Sequence, residues 1–134
     1  MGLDTSHNCW HGPYSQFMRW REWLNLFVMS ERARQGDQRA EAISHLGATR
    51  EALERAWVEG AYDDQSVPVN ALMNHSDCDG EIAADVCGPL ADALEALLNY
   101  MPERGIYDEK RPATLRFIRG LRSASEANEP VLFG

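Results

Sequence analysis

Nowhere does this chain approach the roughly 20 consecutive apolar residues of a membrane-spanning helix, and its opening Met1-Gly2-Leu3-Asp4 has neither the basic nor the apolar region of a secretory signal. A cytoplasmic protein with no membrane partner is the expectation. Cysteine is scarce: Cys9, Cys78 and Cys87 make an odd set of three without a Cys-x-x-Cys pair. That excludes a disulfide scaffold and fits thiols in a reducing compartment. Basic residues are outnumbered, 13 against 21 acidic, for a net charge of −8 and a pI near 4.9. Sequence-independent binding to nucleic acid or to an anionic membrane rewards clustered Lys and Arg, so neither is expected. No internal repeat, low-complexity tract or His-Glu-x-x-His zinc motif is present.

With 134 residues, 44% of them hydrophobic, the chain suits one domain spanning 1–134 with a single core. Residues 2–13 show no helical period and read as a short strand and a polar loop, broken at His11-Gly12-Pro13. Phe17, Trp20, Leu24 and Phe27, widened by Trp23 and Val28, then recur at helical spacing over 14–35. Arg19 and Arg21 fall on other faces and are expected in solvent, with one of them in reach of acidic residues further on. Gly36-Asp37 stops that helix and starts another over 38–60, with Ile43, Leu46, Leu53 and Trp57 inward and Gly47 weakening its continuity. A polar connector, 61–65, leads to a helical turn at Pro68 carrying Val69, Leu72 and Met73.

After Cys87-Gly88-Pro89 comes an apolar stripe of Leu90, Leu94, Leu97, Leu98 and Met101, closed by Pro102 and Gly105. A charged loop over 102–111 precedes a last helix, 112–127, with Leu115, Ile118 and Leu121 inward and Arg116, Arg119 and Arg122 on other faces. Pro130-Val131-Leu132-Phe133 is β-prone. The expected fold is mainly α, a single-domain bundle of four to five helices, with a short β pairing between the N- and C-terminal segments that ties down both ends.

The chemistry concentrates in His75-Ser76-Asp77-Cys78-Asp79-Gly80-Glu81-Ile82. Asp77-x-Asp79-Gly80-x-Ile82 matches the middle of a calcium loop, but His75 and Val86 would then occupy its first and last ligand positions, short of the roughly six to eight oxygens calcium takes. Zinc is favoured over calcium, since His75 and Cys78 join His7, Cys9 and His11 in a set of suitable donors. The plainer alternative is a helix-capping turn in which Asp77 or Asp79 accepts backbone N–H bonds, Ile82 plugs the core, and Cys78 and Cys87 are buried. A thiolate–imidazole pair at Cys9 or Cys78 is a further option, weighed against the usual burial of free cysteine.

Met1-Gly2-Leu3-Asp4, Cys9-Trp10 with Gly12 and Tyr14-Ser15, the octet, Cys87-Gly88-Pro89-Leu90-Ala91-Asp92, Phe117-Ile118-x-Gly120-Leu121 and Asn128-Glu129-Pro130 together resemble a family of uncharacterised small proteins of bacteriophages and prophages sharing the octet. Residues 36–66 lie outside the resemblance. It implies a phage-type accessory protein made in a bacterial host cytoplasm, and it carries no catalytic residue. Two functions follow as expectations. One is a non-enzymatic binding module toward a host protein with a basic surface, or toward a small ligand, modulating a host system such as defence. The other is a metal-dependent hydrolase or ligand-sequestering protein built on the 75–81 turn and the 7–11 loop. In either case the 7–15 loop and the 75–81 turn should be neighbours, with His75, Asp77, Asp79, Glu81, Trp10, Tyr14 and Ser15 as the ligand-binding candidates and shared hydrogen bonds between the two stretches.

Overall fold

The computed structural model describes residues 2–76, 78–101 and 109–134. Helix α1, Tyr14–Arg34, is the axis of the molecule: Phe17, Trp20, Arg21, Trp23, Leu24, Asn25, Phe27, Val28 and Met29 are all buried, which leaves it little solvent face. Burial on most sides marks a central helix, not a surface one. This is why Arg21, expected in solvent, is 2% exposed.

The helix expected over 38–60 is two. Helix α2, Gln38–Ser44, is capped by Asp37, and α3, Arg50–Val58, by Thr49, each side chain accepting a backbone N–H at 3.1 Å. Gly47 lies between them with φ +75°, a conformation glycine takes without steric cost. The connector after α3 is not wholly polar in its packing, for Tyr62 is buried and donates its hydroxyl to Asn25 Oδ1. Helix α4, Pro68–Met73, begins on its proline as expected.

Helix α5, Ala84–Leu97, starts earlier than expected and takes Cys87, Gly88 and Pro89 into its body, followed by a 3-10 turn at Leu98–Tyr100. Pro89 is its sixth residue and lacks the N–H that would reach back to Asp85. Helix α6, Lys110–Ala127, buries Thr114, Phe117, Ile118, Gly120, Leu121 and Ala124, and ends on Asn128 in the left-handed region. Leu115, expected inward, is 40% exposed because the buried stripe runs through its neighbour Thr114, which Trp20 Nε1–H donates to at 2.9 Å. Pro102 and Gly105, and most of the expected charged loop, lie outside the described residues.

Four short strands tie the ends. Strand β1, Gly2–Asp4, pairs antiparallel with β2, His11–Pro13, and β3, Glu81–Ile82, pairs antiparallel with β4, Val131–Leu132. A single bridge, Thr5 to Phe133, joins the two pairs, supported by Gly134 N–H to the Asp4 carbonyl at 3.2 Å and Leu132 N–H to Ser6 Oγ at 2.8 Å. The protein is thus mainly helical, with six α-helices among the described residues and the expected link between its terminal segments. Its core holds an aromatic cluster in which Trp10 and Trp20 rings lie 5.1 Å apart, Trp20 and Phe117 4.8 Å, and Trp10 and Phe17 5.2 Å.

Candidate functional site

The octet folds around the His75 ring. That ring stacks on Phe133 with centroids 4.1 Å apart, and its nitrogens face two backbone carbonyls, Nδ1 that of Ser76 at 2.6 Å and Nε2 that of Glu81 at 3.0 Å. Gly80, at φ +91°, makes the bend, and a Cβ there would come within 3.4 Å of His75 Cε1. The His75 carbonyl accepts from Arg21 Nη1 at 2.6 Å, so an arginine of α1 does reach the octet, but through its backbone. Ile82 is buried as expected. Asp77 lies outside the described residues, while Asp79 and Glu81 are exposed.

One expectation for this turn fails, and a second is met by no described residue. Cys78 is exposed, its N–H donating to Ser76 Oγ at 3.2 Å, because the turn ahead of β3 carries it to the surface. Helix α5 opens at Ala83, whose side chain offers no cap, and no bond from Asp79 to its first turn is seen among the described residues; Asp77 lies outside them.

Residues 5–10 form the turn of the N-terminal hairpin. Thr5 N–H donates to the Trp10 carbonyl at 3.0 Å and Trp10 N–H to Thr5 Oγ1 at 2.9 Å, with His7 and Asn8 both at positive φ. The turn lies on α6 at Gly120, where a Cβ would meet Cys9 Sγ at 2.4 Å and the His7 carbonyl oxygen at 2.7 Å. Cys9 is fully buried, and burial, aided by the nearby Cys87, pushes its thiol up to about 12. It is therefore protonated at neutral pH, and the activated-thiolate reading does not hold at Cys9. Burial raises the Cys87 thiol as well.

His7 sits 3.2 Å from Glu129 on the far side of this turn, and His11 stands in solvent on β2 beside Asp4 at 3.4 Å. Among the described residues no three His, Cys, Asp or Glu side chains converge to hold a metal ion. His7 and Cys9 are engaged at α6, His11 faces outward, His75 is covered by Phe133, and Cys78 is on the surface. The five zinc candidates do not share one site.

The two polar stretches meet through an intermediary. Strand β4 lies between them, bonded to Ser6 on one side and, through Phe133 N–H, to the Gly80 carbonyl at 2.9 Å on the other. Trp10, Phe17, Phe133 and His75 form a continuous ring contact across the same ground. No hydrogen bond from His75 to the 7–15 loop is seen among the described residues; its ring nitrogens face the Ser76 and Glu81 carbonyls instead, and a neutral ring donates to one of them. Tyr14 is half-buried at the start of α1 and Ser15 is exposed.

Trp10, one of the ligand candidates, borders a notch of about 210 Å³ where the hairpin meets the first turns of α1 and α6. Gln16, Arg19 and Trp20 of α1, Lys110, Ala113 and Arg116 of α6, His11 of β2 and Glu109 complete its wall. Arg19, Lys110 and Arg116 form no ion pair among the described residues. Glu22 lies close enough that burial raises its carboxyl while Arg50, Arg19 and Lys110 pull it down. The Trp20 indole N–H is taken by Thr114, but that of Trp10, in a residue only 7% exposed, is buried without an acceptor among the described residues. A Cβ on Gly12 would lie 3.4 Å from Gln16 Oε1 and 3.7 Å from Trp10 Nε1, which puts the exposed Gln16 side chain on the same side as that donor.

Gln16, Arg19, Lys110 and Arg116 escaped the sequence reading. Arg19 and Arg116 were visible as helix-face cations, but 97 positions separate them (116 minus 19), and it takes contacts such as the Trp20–Thr114 bond and the Trp20–Phe117 ring pair to bring their helices together. No family model, curated protein or solved structure matches this chain, so what the notch does has to be argued from its own residues.

Proposed function

We propose that the protein is a non-enzymatic binding module, of the accessory kind its phage-like sequence resembles, and that it binds a small anionic ligand in the notch between the hairpin, α1 and α6. The observation that carries this reading is the indole N–H of Trp10, buried and without a partner among the described residues, in a residue that lines a notch bordered by three cations. A buried donor without an acceptor costs about 1–3 kcal/mol, and an oxyanion admitted by a turn of the exposed Gln16 side chain would recover it. The test is a titration of ¹⁵N-labelled protein with phosphate, sulfate and simple carboxylates, following the Trp10 indole resonance assigned by its loss in Trp10→Phe. The expected result is a saturable shift that Arg116→Gln weakens about tenfold, equivalent to about 1.4 kcal/mol. An indole resonance that no anion in the set moves would refute the reading.

A second reading, engagement of a host protein with a basic surface, draws on a separate feature. Arg21, Arg32 and Arg111 donate to backbone carbonyls, of His75, Ala61 and Leu98 respectively; this buries Arg21 and half-buries the other two, on a chain already short of basic groups. Complementary charge speeds such encounters and makes them sensitive to salt. Association with a basic partner should weaken steeply between low and physiological ionic strength, and a salt-insensitive interaction counts against it.

A further inference from the structure

We propose that Ser123 is an activated nucleophile that takes an acyl group from small esters, with His7 as its general base and Glu129 orienting the His7 ring. The three side chains stand in line: Ser123 Oγ is 3.4 Å from His7 Nδ1, and His7 Nε2 is 3.2 Å from Glu129 Oε1. A hydroxyl, an imidazole and a carboxylate in that order are the parts of a nucleophilic relay, recognised by geometry wherever they lie in a chain. A neutral ring that donates Nε2–H to Glu129 leaves Nδ1 to accept the Ser123 proton. The hydroxyl–imidazole bond of such a relay is often long before substrate arrives.

The backbone sets each member in place. The hairpin turn seats on α6 at Gly120, and Ser123 follows three residues on, along the same face. His7 takes φ +59°, a left-handed conformation uncommon outside glycine, and strain of this kind gathers at functional sites. Asn128, at φ +54°, turns the chain back, and Glu129, its N–H bonded to the Ala124 carbonyl at 2.9 Å, meets the other nitrogen of the ring. Helical Ser and Thr hydroxyls commonly bond the carbonyl one turn earlier, as Thr114 does with Lys110 at 2.8 Å. Ser123, in the same helix, makes no such bond among the described residues and is exposed, whereas the His7 side chain is only 16% exposed. The nucleophile is open and its base is shielded. The reaction is one acyl transfer to the chain itself and is independent of the notch.

The probe is p-nitrophenyl acetate, with the acetylated residue located by peptide mass spectrometry. Ser123 Oγ bonds to the acetyl carbon, the bond to nitrophenolate breaks, and the hydroxyl proton passes to His7 Nδ1 and then to water. Ser123 should acetylate about 100-fold faster than Ser125, an exposed serine of the same helix with no bonded histidine; that is the lower end of what a general base contributes. His7→Asn, which puts a residue tolerant of the left-handed region there, should remove the advantage. Glu129→Gln, at an exposed position, should slow acetylation several-fold and move the His7 ring ¹⁵N resonances toward the Nδ1–H form, a coupling that a structural tie does not produce. If His7→Asn does not fold, Glu129→Gln carries the test. Equal rates at Ser123 and Ser125, or a Ser123 rate that either folded variant leaves unchanged, would overturn the proposal.

Discussion

At position 120 a hydrogen atom is all that fits. A methyl group there would overlap Cys9 Sγ and the His7 carbonyl, and the latter is backbone that cannot step aside without opening the hairpin turn. Gly120→Ala should therefore cost about 1–3 kcal/mol, the usual range for overpacking, read as a lowered denaturant midpoint; Gly88→Ala, which meets only the Ser125 hydroxyl at 3.1 Å, should cost less. A Gly120→Ala protein of unchanged stability would show that the turn does not rest on α6 in this way. The same contact controls thiol chemistry. Cys78 should react with a thiol reagent in the folded protein, whereas Cys9 and Cys87 should react only on unfolding. Because the Cys9 thiol is raised from 9.0 to about 12, the unfolded chain releases its proton first as pH rises. Its contribution is intact below about pH 9 and is lost between there and about 12. Denaturation midpoints should fall across that window, and Cys9→Ala should flatten the decline. Among single residues, Gly80 and Ile82 were readable from the sequence because bends and plugs have local signatures. The exposure of Cys78 and the burial of Arg21 were not, since the first follows a turn fixed by the pairing of β3 with β4, and the second comes with bonds to the Leu72 and His75 carbonyls, partners distant in the chain.

At the level of elements, the aromatic period of α1 and the proline start of α4 were plain in the sequence. Helix α5 was misplaced because proline usually opens a helix and here sits inside one. The break between α2 and α3 was signalled by Gly47 and sealed by the Thr49 cap of α3, which no periodicity reveals, whereas Asp37, read as the start of a helix, does cap α2. The connector that follows is held by Arg32 of α1. It donates to the Ala61 carbonyl at 2.6 Å and to Asn70 Oδ1 at 2.8 Å, its guanidinium lies over the Tyr62 ring, and Asn70 in turn donates to the Asp64 carbonyl. A polar run such as Ala61-Tyr62-Asp63-Asp64-Gln65 looks solvated until that arginine is placed. Tyr62→Phe removes the only donor seen at Asn25 Oδ1 and should cost about 1–3 kcal/mol by thermal or chemical denaturation. A neutral outcome would mean that Asn25 finds another donor.

On the scale of the whole molecule, fold class followed from hydrophobic period, while the notch did not, because it exists only where a hairpin and two helix starts are assembled. The octet, the densest chemistry in the sequence, turns out to wrap its histidine against Phe133 and to depend on β4 for its strand partner. That dependence has a kinetic side. The Thr5–Phe133 bridge closes a loop of almost the whole chain, and contacts of such separation are entropically expensive to form early. The helices should form first, with neighbours in sequence such as α5 and α6 packing early, and the tail strand should dock late, downhill of the folding barrier. Phe133→Ala, a loss of about 3–5 kcal/mol for a buried ring, should then appear almost entirely as faster unfolding, with the refolding arm of the chevron nearly unmoved. In that case the lifetime of the octet's shape is set by how long the last strand stays bound, and the turn would open and close without the bundle beneath it coming apart.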